Sequence, residues 1–154
     1  MGNAKSVQEI EIECRVREKL LNREYKRCLT DEAKEVECVK QALTKGNKDL
    51  AKIHAENVLR KKREAIQILE LLSQIDNMRT ECKLKQYSQT SASNSFSINV
   101  HGMGENSYIT KLSNRKTKAS ENITDTEVND IMSKIALESD IDLEKFLKLT
   151  NVIQ

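Results

Sequence analysis

The segment KGNKDLAKIHAENVLRKKR, residues 45–63, contains the main interruption in a long helix-forming stretch of sequence. The chain has no proline, and Gly46 is the only glycine between Gly2 and Gly102. Glycine readily adopts the left-handed conformation that ends many helices, so Gly46 predicts a helix C-terminus. The side chain of Asn47 can accept a hydrogen bond from an amide in the first turn of a following helix. We therefore predict that Gly46 and Asn47 form a turn between two helices.

Apolar residues recur at spacings of three and four on both sides of this turn, as in amphipathic helices. The first stripe is Val7, Ile10, Cys14, Leu21, Cys28, Val36, Val39 and Leu43, and the second is Ala51, Ala55, Val58, Ala65, Leu69 and Leu72. Helices over residues 7–44 and 48–87 would be about 57 and about 60 Å long at the helical rise per residue. Because each stripe is buried most simply against the other, we predict an all-α fold based on a long antiparallel helical hairpin that resembles a coiled coil.

Composition limits the size of any additional core. The chain of 154 residues is 32% charged and 3% aromatic and contains no tryptophan. A large globular core is therefore not expected. The four cysteines have no Cys-x-x-Cys pair and no histidine at zinc-ligand spacing, so we expect reduced thiols, no metal and no cofactor. No apolar run is long enough to cross a bilayer, and the N-terminus lacks the apolar core of a signal peptide, which predicts a cytoplasmic protein.

The N-terminus offers one possible membrane attachment. The sequence MGNAKS fits the N-myristoylation pattern, with Gly2 as the acceptor and Ser6 at the preferred position. The alternative is an unmodified terminus. One myristoyl chain gives only marginal membrane binding, so a lipidated protein would need a second membrane signal.

Changes in composition divide the chain into three parts. Residues 1–87 are predicted to form the hairpin, residues 88–123 a polar flexible linker, and residues 124–154 an acidic C-terminal helix. Within the linker, the alternation in SFSINV (residues 95–100) is typical of a strand, but no partner strand is identifiable in the sequence.

Charge also differs between the parts. Residues 1–87 contain 19 Lys and Arg against 15 Asp and Glu, whereas residues 119–154 contain 3 against 8. The run Arg60, Lys61, Lys62 and Arg63 is predicted to contact an anionic membrane, where each well-placed base contributes about 1 kcal/mol. A solvated helix face is the simpler alternative. The acidic tail could compete for the same surface. Nucleic acid is not an expected partner, because acids interrupt the bases and few aromatic residues are available for stacking.

The sequence provides no evidence for catalysis. His54 has no Cys, His or carboxylate neighbour in the pattern that a site requires, so we expect it to have a structural or partner-contact role. No acid and base pair, nucleophile constellation or phosphate-binding loop is present, and we predict that the protein is not an enzyme.

Residues 28–75 resemble the helical hairpin of the ESCRT-III subunit family, in particular charged multivesicular body protein 1. The most specific part is the KGN turn followed by IHAEN, residues 53–57. The remaining matching positions are Cys28, Glu32, Ala33, Lys34, Ala42, Ala51, Arg60, Lys62, Ala65 and Leu69. A fainter likeness to the family's late acidic helix includes Val128, Ile131, Met132, Ala136 and the segment IDL at 141–143.

This resemblance implies a subunit of endosomal membrane remodelling, in multivesicular body sorting and membrane scission. In that family a basic hairpin binds lipid and neighbouring subunits, and an acidic C-terminal region folds back on it. The implied partners are other ESCRT-III subunits, in homo- or hetero-oligomers, and an anionic membrane surface. The implied location is the cytoplasm, peripheral on the endosomal membrane.

The resemblance further implies a C-terminal helix that binds the MIT domain of an AAA ATPase. Asp140, Leu143, Phe146 and Leu147 have the required spacing, although the family's Arg is missing and Thr150 stands where Leu is expected. Packing of the tail on the hairpin is the alternative role for this segment. The polar segment 88–123 replaces the family's third and fourth helices. This difference leaves a second function open, that of a coiled-coil adaptor or regulator of ESCRT-III that does not itself polymerise.

Overall fold

The computed structural model describes residues 5–89 and 122–141, which form three helices. Helix α1 is Val7–Thr44, α2 is Lys48–Gln89 and α3 is Asp125–Glu138. The predicted all-α fold is confirmed, with α1 and α2 forming the hairpin and a short C-terminal helix added to it. The segment SFSINV lies outside the described residues.

The turn between α1 and α2 is built by backbone hydrogen bonds around Gly46, whose φ is 72°. The Gly46 amide donates to the Leu43 carbonyl at 3.0 Å, and the Asn47 amide donates to the Ala42 carbonyl at 2.9 Å. This pair of bonds is the Schellman arrangement, which requires a left-handed residue at the position of Gly46. Asn47 also accepts a hydrogen bond from the Leu50 amide on its side-chain oxygen at 3.1 Å, which caps the start of α2.

The described residues belong to two units. The first unit contains α1 up to Lys26 and α2 from Ile66. Its buried side chains come from both helices and are Ile10, Cys14, Leu21, Ile68, Leu71, Ile75 and Cys82. An ion pair also crosses between the helices here, where Arg79 Nη1 donates to Glu18 Oε2 at 2.9 Å.

The predicted stripe of α2 is wrong beyond Ala65. Leu69 is 45% exposed and Leu72 is half-buried, whereas Ile68, Leu71 and Ile75 are buried. Buried positions of α2 repeat every seven residues at Ala51, Val58 and Ala65, and again at Ile68, Ile75 and Cys82. The step of only three residues from Ala65 to Ile68 shifts this repeat, which brings Ile68 to the buried face and leaves Leu69 exposed.

The second unit contains residues 27–65 together with α3. Its core combines three helices and consists of Val39, Ala42, Leu43, Ala51, Ala55, Val58, Val128, Met132, Ile135 and Ala136. The small side chains of Ala42, Ala51 and Ala55 allow α3 to approach the other helices closely. Met132 fills the space between them and is completely buried.

Both ends of α3 are capped. At the start, the Thr124 side chain accepts from the Glu127 amide at 3.3 Å while the Glu127 carboxylate accepts from the Thr124 amide at 3.0 Å, which is a capping box. At the end, Asp140 has φ 50° and the Ile141 amide donates to the Ala136 carbonyl at 3.0 Å. Within the predicted acidic segment 124–154, α3 therefore covers Asp125–Glu138, and residues 142–154 lie outside the described residues. Ser139 and Asp140 favour local hydrogen bonding over helix continuation.

Candidate functional site

The basic run that was predicted to contact membrane lies on α2 within the second unit. All four side chains are half-buried, and all four have carboxylate partners. Arg60 pairs within α2 with Glu56 at 3.7 Å. The remaining pairs are Lys61 with Glu64 at 3.2 Å and with Asp31 at 4.0 Å, Lys62 with Glu32 at 3.8 Å, and Arg63 with Glu127 at 2.9 Å. In this conformation the run is thus compensated by acids from all three helices.

The strongest of these contacts joins α2 to α3. Arg63 Nη2 donates to both carboxylate oxygens of Glu127, at 2.9 and 3.1 Å. The hydrogen bond from the Thr124 amide, together with the Arg63 guanidinium, lowers the pKa of Glu127 from its ordinary value. A second pair, Lys52 with Asp125 at 3.1 Å, joins the same two helices. The first turn of α3 therefore places its acidic side chains on bases of α2.

The expectation that His54 lacks a carboxylate partner is wrong. His54 Nδ1 lies 2.7 Å from Glu35 Oε2, and the same oxygen accepts from Asn57 Nδ2 at 3.2 Å. Glu35 is on α1, so the pattern within the IHAEN segment could not reveal it. The arrangement contains one carboxylate and one imidazole, both partly buried, and it links α1 to α2 near the turn. We assign it a structural role.

The predicted lipidation site and the predicted C-terminal partner-binding residues fall mostly outside the described ranges. Gly2, Leu143, Phe146 and Leu147 lie outside the described residues. Asp140 is described, is exposed, and is the left-handed residue that follows α3. Ser6, the residue at the preferred position of the myristoylation pattern, is the N-cap of α1. Its hydroxyl accepts from the Glu9 amide at 3.2 Å, and its own amide donates to the Glu9 carboxylate at 2.8 Å.

Within residues 5–89 and 122–141, no group of His, Cys, Asp and Glu is arranged to hold a metal ion. Over the same ranges, none of the helices combines the length and apolar character that a membrane span requires.

The sequence did not indicate that Glu35 pairs with His54 or that Glu127 pairs with Arg63. The spacing Thr124-Asp-Thr-Glu127 is a capping-box signal that could have located the start of α3. No local pattern could have indicated which base on α2 would receive the Glu127 carboxylate, because that choice depends on how α3 packs.

Comparison with known proteins identifies relatives for part of the chain. Charged multivesicular body protein 1b of Gallus gallus is 45% identical over 58 residues, which are 38% of this chain and 29% of the relative. The human protein of the same name is 40% identical over the same extent. An ESCRT-related protein of Arabidopsis thaliana is 37% identical over 76 residues, which are 49% of this chain and 37% of the relative.

The aligned residues thus span less than two fifths of each of these curated relatives. No protein-family model matches the chain, and no solved structure matches it significantly. The predicted resemblance to charged multivesicular body protein 1 is confirmed over the aligned segment.

Proposed function

We propose that this protein is an ESCRT-III-like subunit that acts in multivesicular body sorting and membrane scission. The observation that carries the proposal is the identity of 45% over 58 residues with charged multivesicular body protein 1b. The helical hairpin with its Gly46 turn supports it, because two long helices with little globular core suit a protein that assembles side by side with other subunits. On this proposal the protein is cytoplasmic, binds the surface of endosomal membranes peripherally, and assembles with itself or other ESCRT-III subunits.

The membrane contact in this proposal is the basic run Arg60–Arg63. Its four bases are paired with acids of the same chain, so contact with anionic lipid requires that lipid phosphates replace those acids. Arg63 is the clearest case, since its partner Glu127 lies on α3. Displacement of α3 would remove this carboxylate, and a phosphate, which Arg recognises well, could take its place. Recruitment of an MIT-domain ATPase through Asp140, Leu143, Phe146 and Leu147 is part of the same proposal.

A liposome test examines the membrane contact. Arg60, Lys61, Lys62 and Arg63 are replaced together by Glu, and binding to vesicles rich in phosphatidylserine is measured by flotation. We expect strongly reduced binding, while circular dichroism shows that most of the helix content is retained. The matched control replaces Lys19, Arg23, Lys26 and Arg27 of α1 by Glu, which changes the net charge equally. Equal loss in both variants would indicate attraction by net charge alone. Loss only in the control would move the membrane contact to α1.

Electron microscopy distinguishes the two candidate functions. Full-length protein and a variant without residues 119–154 are incubated with and without vesicles. Filaments that appear or increase after the deletion support the ESCRT-III subunit. Binding to other ESCRT-III subunits without any filaments would instead support the adaptor that does not polymerise, in which the hairpin serves only as a partner surface.

A further inference from the structure

Each helix of the first unit contributes one buried thiol. Cys14 of α1 is 2% exposed and Cys82 of α2 is 3% exposed. On α1, the buried Leu21 follows Cys14 by seven residues. On α2, the buried Ile75 precedes Cys82 by seven residues. Seven residues along two antiparallel helices lead from one contact layer to the next. The two cysteines therefore occupy a layer equivalent to that of Leu21 and Ile75.

An ion pair fixes the alignment of the helices next to this layer. Arg79 Nη1 donates to Glu18 Oε2 at 2.9 Å. Cys14 is four residues before Glu18, and Cys82 is three residues after Arg79. The two helices run in opposite directions, so moving toward the N-terminus of α1 corresponds to moving toward the C-terminus of α2. Both cysteines therefore lie about one helical turn beyond the ion pair, toward the same end of the hairpin.

The electrostatic surroundings agree with this placement. Burial raises the pKa of Cys14 most, the Cys82 thiol raises it further, and Arg17 and Arg79 oppose the increase. Burial also raises the pKa of Cys82, where Glu81 and Glu11 add to the increase and Lys85 opposes it. Each thiol thus senses charged groups on the opposite helix, Arg79 for Cys14 and Glu11 for Cys82.

We propose that Cys14 and Cys82 are a redox-sensitive pair that closes into an intramolecular disulfide between α1 and α2. The oxidant is a low-molecular-weight disulfide such as glutathione disulfide. The thiolate of one cysteine attacks it and releases one glutathione thiolate, which leaves a mixed disulfide on the protein. The second cysteine loses its proton to solvent and attacks the protein sulfur, releasing the second glutathione. Both protein thiols are oxidised and one glutathione disulfide is reduced to two glutathiones.

This proposal is independent of the proposed function, and it agrees with reduced thiols as the resting state. Buried thiols react slowly, because the thiolate is the nucleophile and burial disfavours it. Reaction therefore proceeds through transient separation of the two helices in this unit. Once closed, the bond links α1 to the last part of α2 and opposes their separation.

The other two cysteines serve as internal controls. Cys28 and Cys38 both lie on α1 in the second unit, where Cys28 Sγ donates to Glu64 Oε2 at 3.6 Å. The double variant Cys28→Ser with Cys38→Ser therefore retains the proposed pair and removes the other two cysteines of the chain.

The test uses full-length protein, native and dilute, incubated with glutathione disulfide near pH 8. Intact mass spectrometry and peptide mapping then assign the cysteine linkages. We expect the wild type and the Cys28→Ser/Cys38→Ser variant to lose two hydrogens, to yield a peptide linking Cys14 with Cys82, and to melt at least about 5 °C higher than the reduced forms. The single variants Cys14→Ser and Cys82→Ser should not form this link. Each should instead carry glutathione on the other cysteine of the pair.

Three results would overturn the proposal. The first is wild-type protein that carries glutathione on Cys14 and Cys82 without closing the bond. The second is a Cys14 or Cys82 linkage to another residue or to a second chain. The third is a wild type that forms the Cys14 to Cys82 link only in denaturant, because the thiols would then not be neighbours in the folded unit. The wild-type map decides these outcomes even if a serine variant fails to fold.

Discussion

Arg63 of α2 donates two hydrogen bonds to the carboxylate of Glu127 in α3, at 2.9 Å to Oε1 and 3.1 Å to Oε2. The same carboxylate accepts from the backbone amide of Thr124 at 3.0 Å and from its hydroxyl at 3.2 Å. One side chain therefore both caps α3 and attaches it to the end of the basic run. The stability of the cap and the accessibility of Arg63 are linked through Glu127.

Replacement of Arg63 by alanine should loosen α3 without unfolding the hairpin. Both side chains of the pair are partly exposed, so solvent screens the interaction and its contribution is modest. We expect amide hydrogen exchange in α3 to accelerate about 2- to 5-fold, measured by mass spectrometry. Arg60→Ala is the matched control, since its partner Glu56 lies in the same helix. Equal acceleration in both variants would contradict a specific role for the Arg63 to Glu127 pair.

Replacement of Met132 by alanine should release α3 more completely. Met132 is fully buried among side chains of all three helices, and such truncations cost about 2 to 4 kcal/mol. We expect rapid proteolysis of α3 and a lower urea midpoint for the second unit. Leu137→Ala on the same helix is the control, because that side chain is 60% exposed and its loss should cost less than about 0.5 kcal/mol. If Met132→Ala were as resistant to protease as Leu137→Ala, the observed packing of α3 would be wrong.

Replacement of Gly46 by alanine should destabilise the turn of the hairpin. The φ of 72° places a side chain against the following backbone, which costs about 1 to 2 kcal/mol for alanine. Gly46→Asn should cost less, since asparagine tolerates this conformation. Urea denaturation followed by circular dichroism measures both variants, with Lys45→Ala as the neighbouring exposed control. Equal midpoints for the alanine and asparagine variants would argue against the left-handed turn.

The cap of α3 should weaken in acid. Because the folded pKa of Glu127 is below its unfolded value, its contribution to stability is present above about pH 4.3 and is lost as pH falls through the folded pKa. We expect hydrogen exchange of α3, corrected for intrinsic rates, to accelerate in this acidic range in the wild type. In Glu127→Gln the exchange should be faster at neutral pH and should change less on acidification. Parallel pH profiles in the two proteins would assign the acid sensitivity to other carboxylates.

The helical hairpin can be predicted from local features of the sequence. The bounds of α1 match the predicted residues 7–44, and α2 begins at the predicted Lys48 and extends two residues beyond the predicted end. These features depend on local physics. Gly46 is the only glycine between Gly2 and Gly102 in a chain without proline, so it marks where the first long helix ends. Periodic apolar residues define the face that each helix buries.

The contacts between distant side chains depend on tertiary packing. It placed Glu35 beside His54 and Glu127 beside Arg63, and it selected Ile68 in place of Leu69 for the contact between the helices. None of these choices has a local signal, because the partners are separated by many residues and their alignment follows from how the three helices pack. The basic run that the sequence presents as four free charges is, for the same reason, paired with acids in the folded chain.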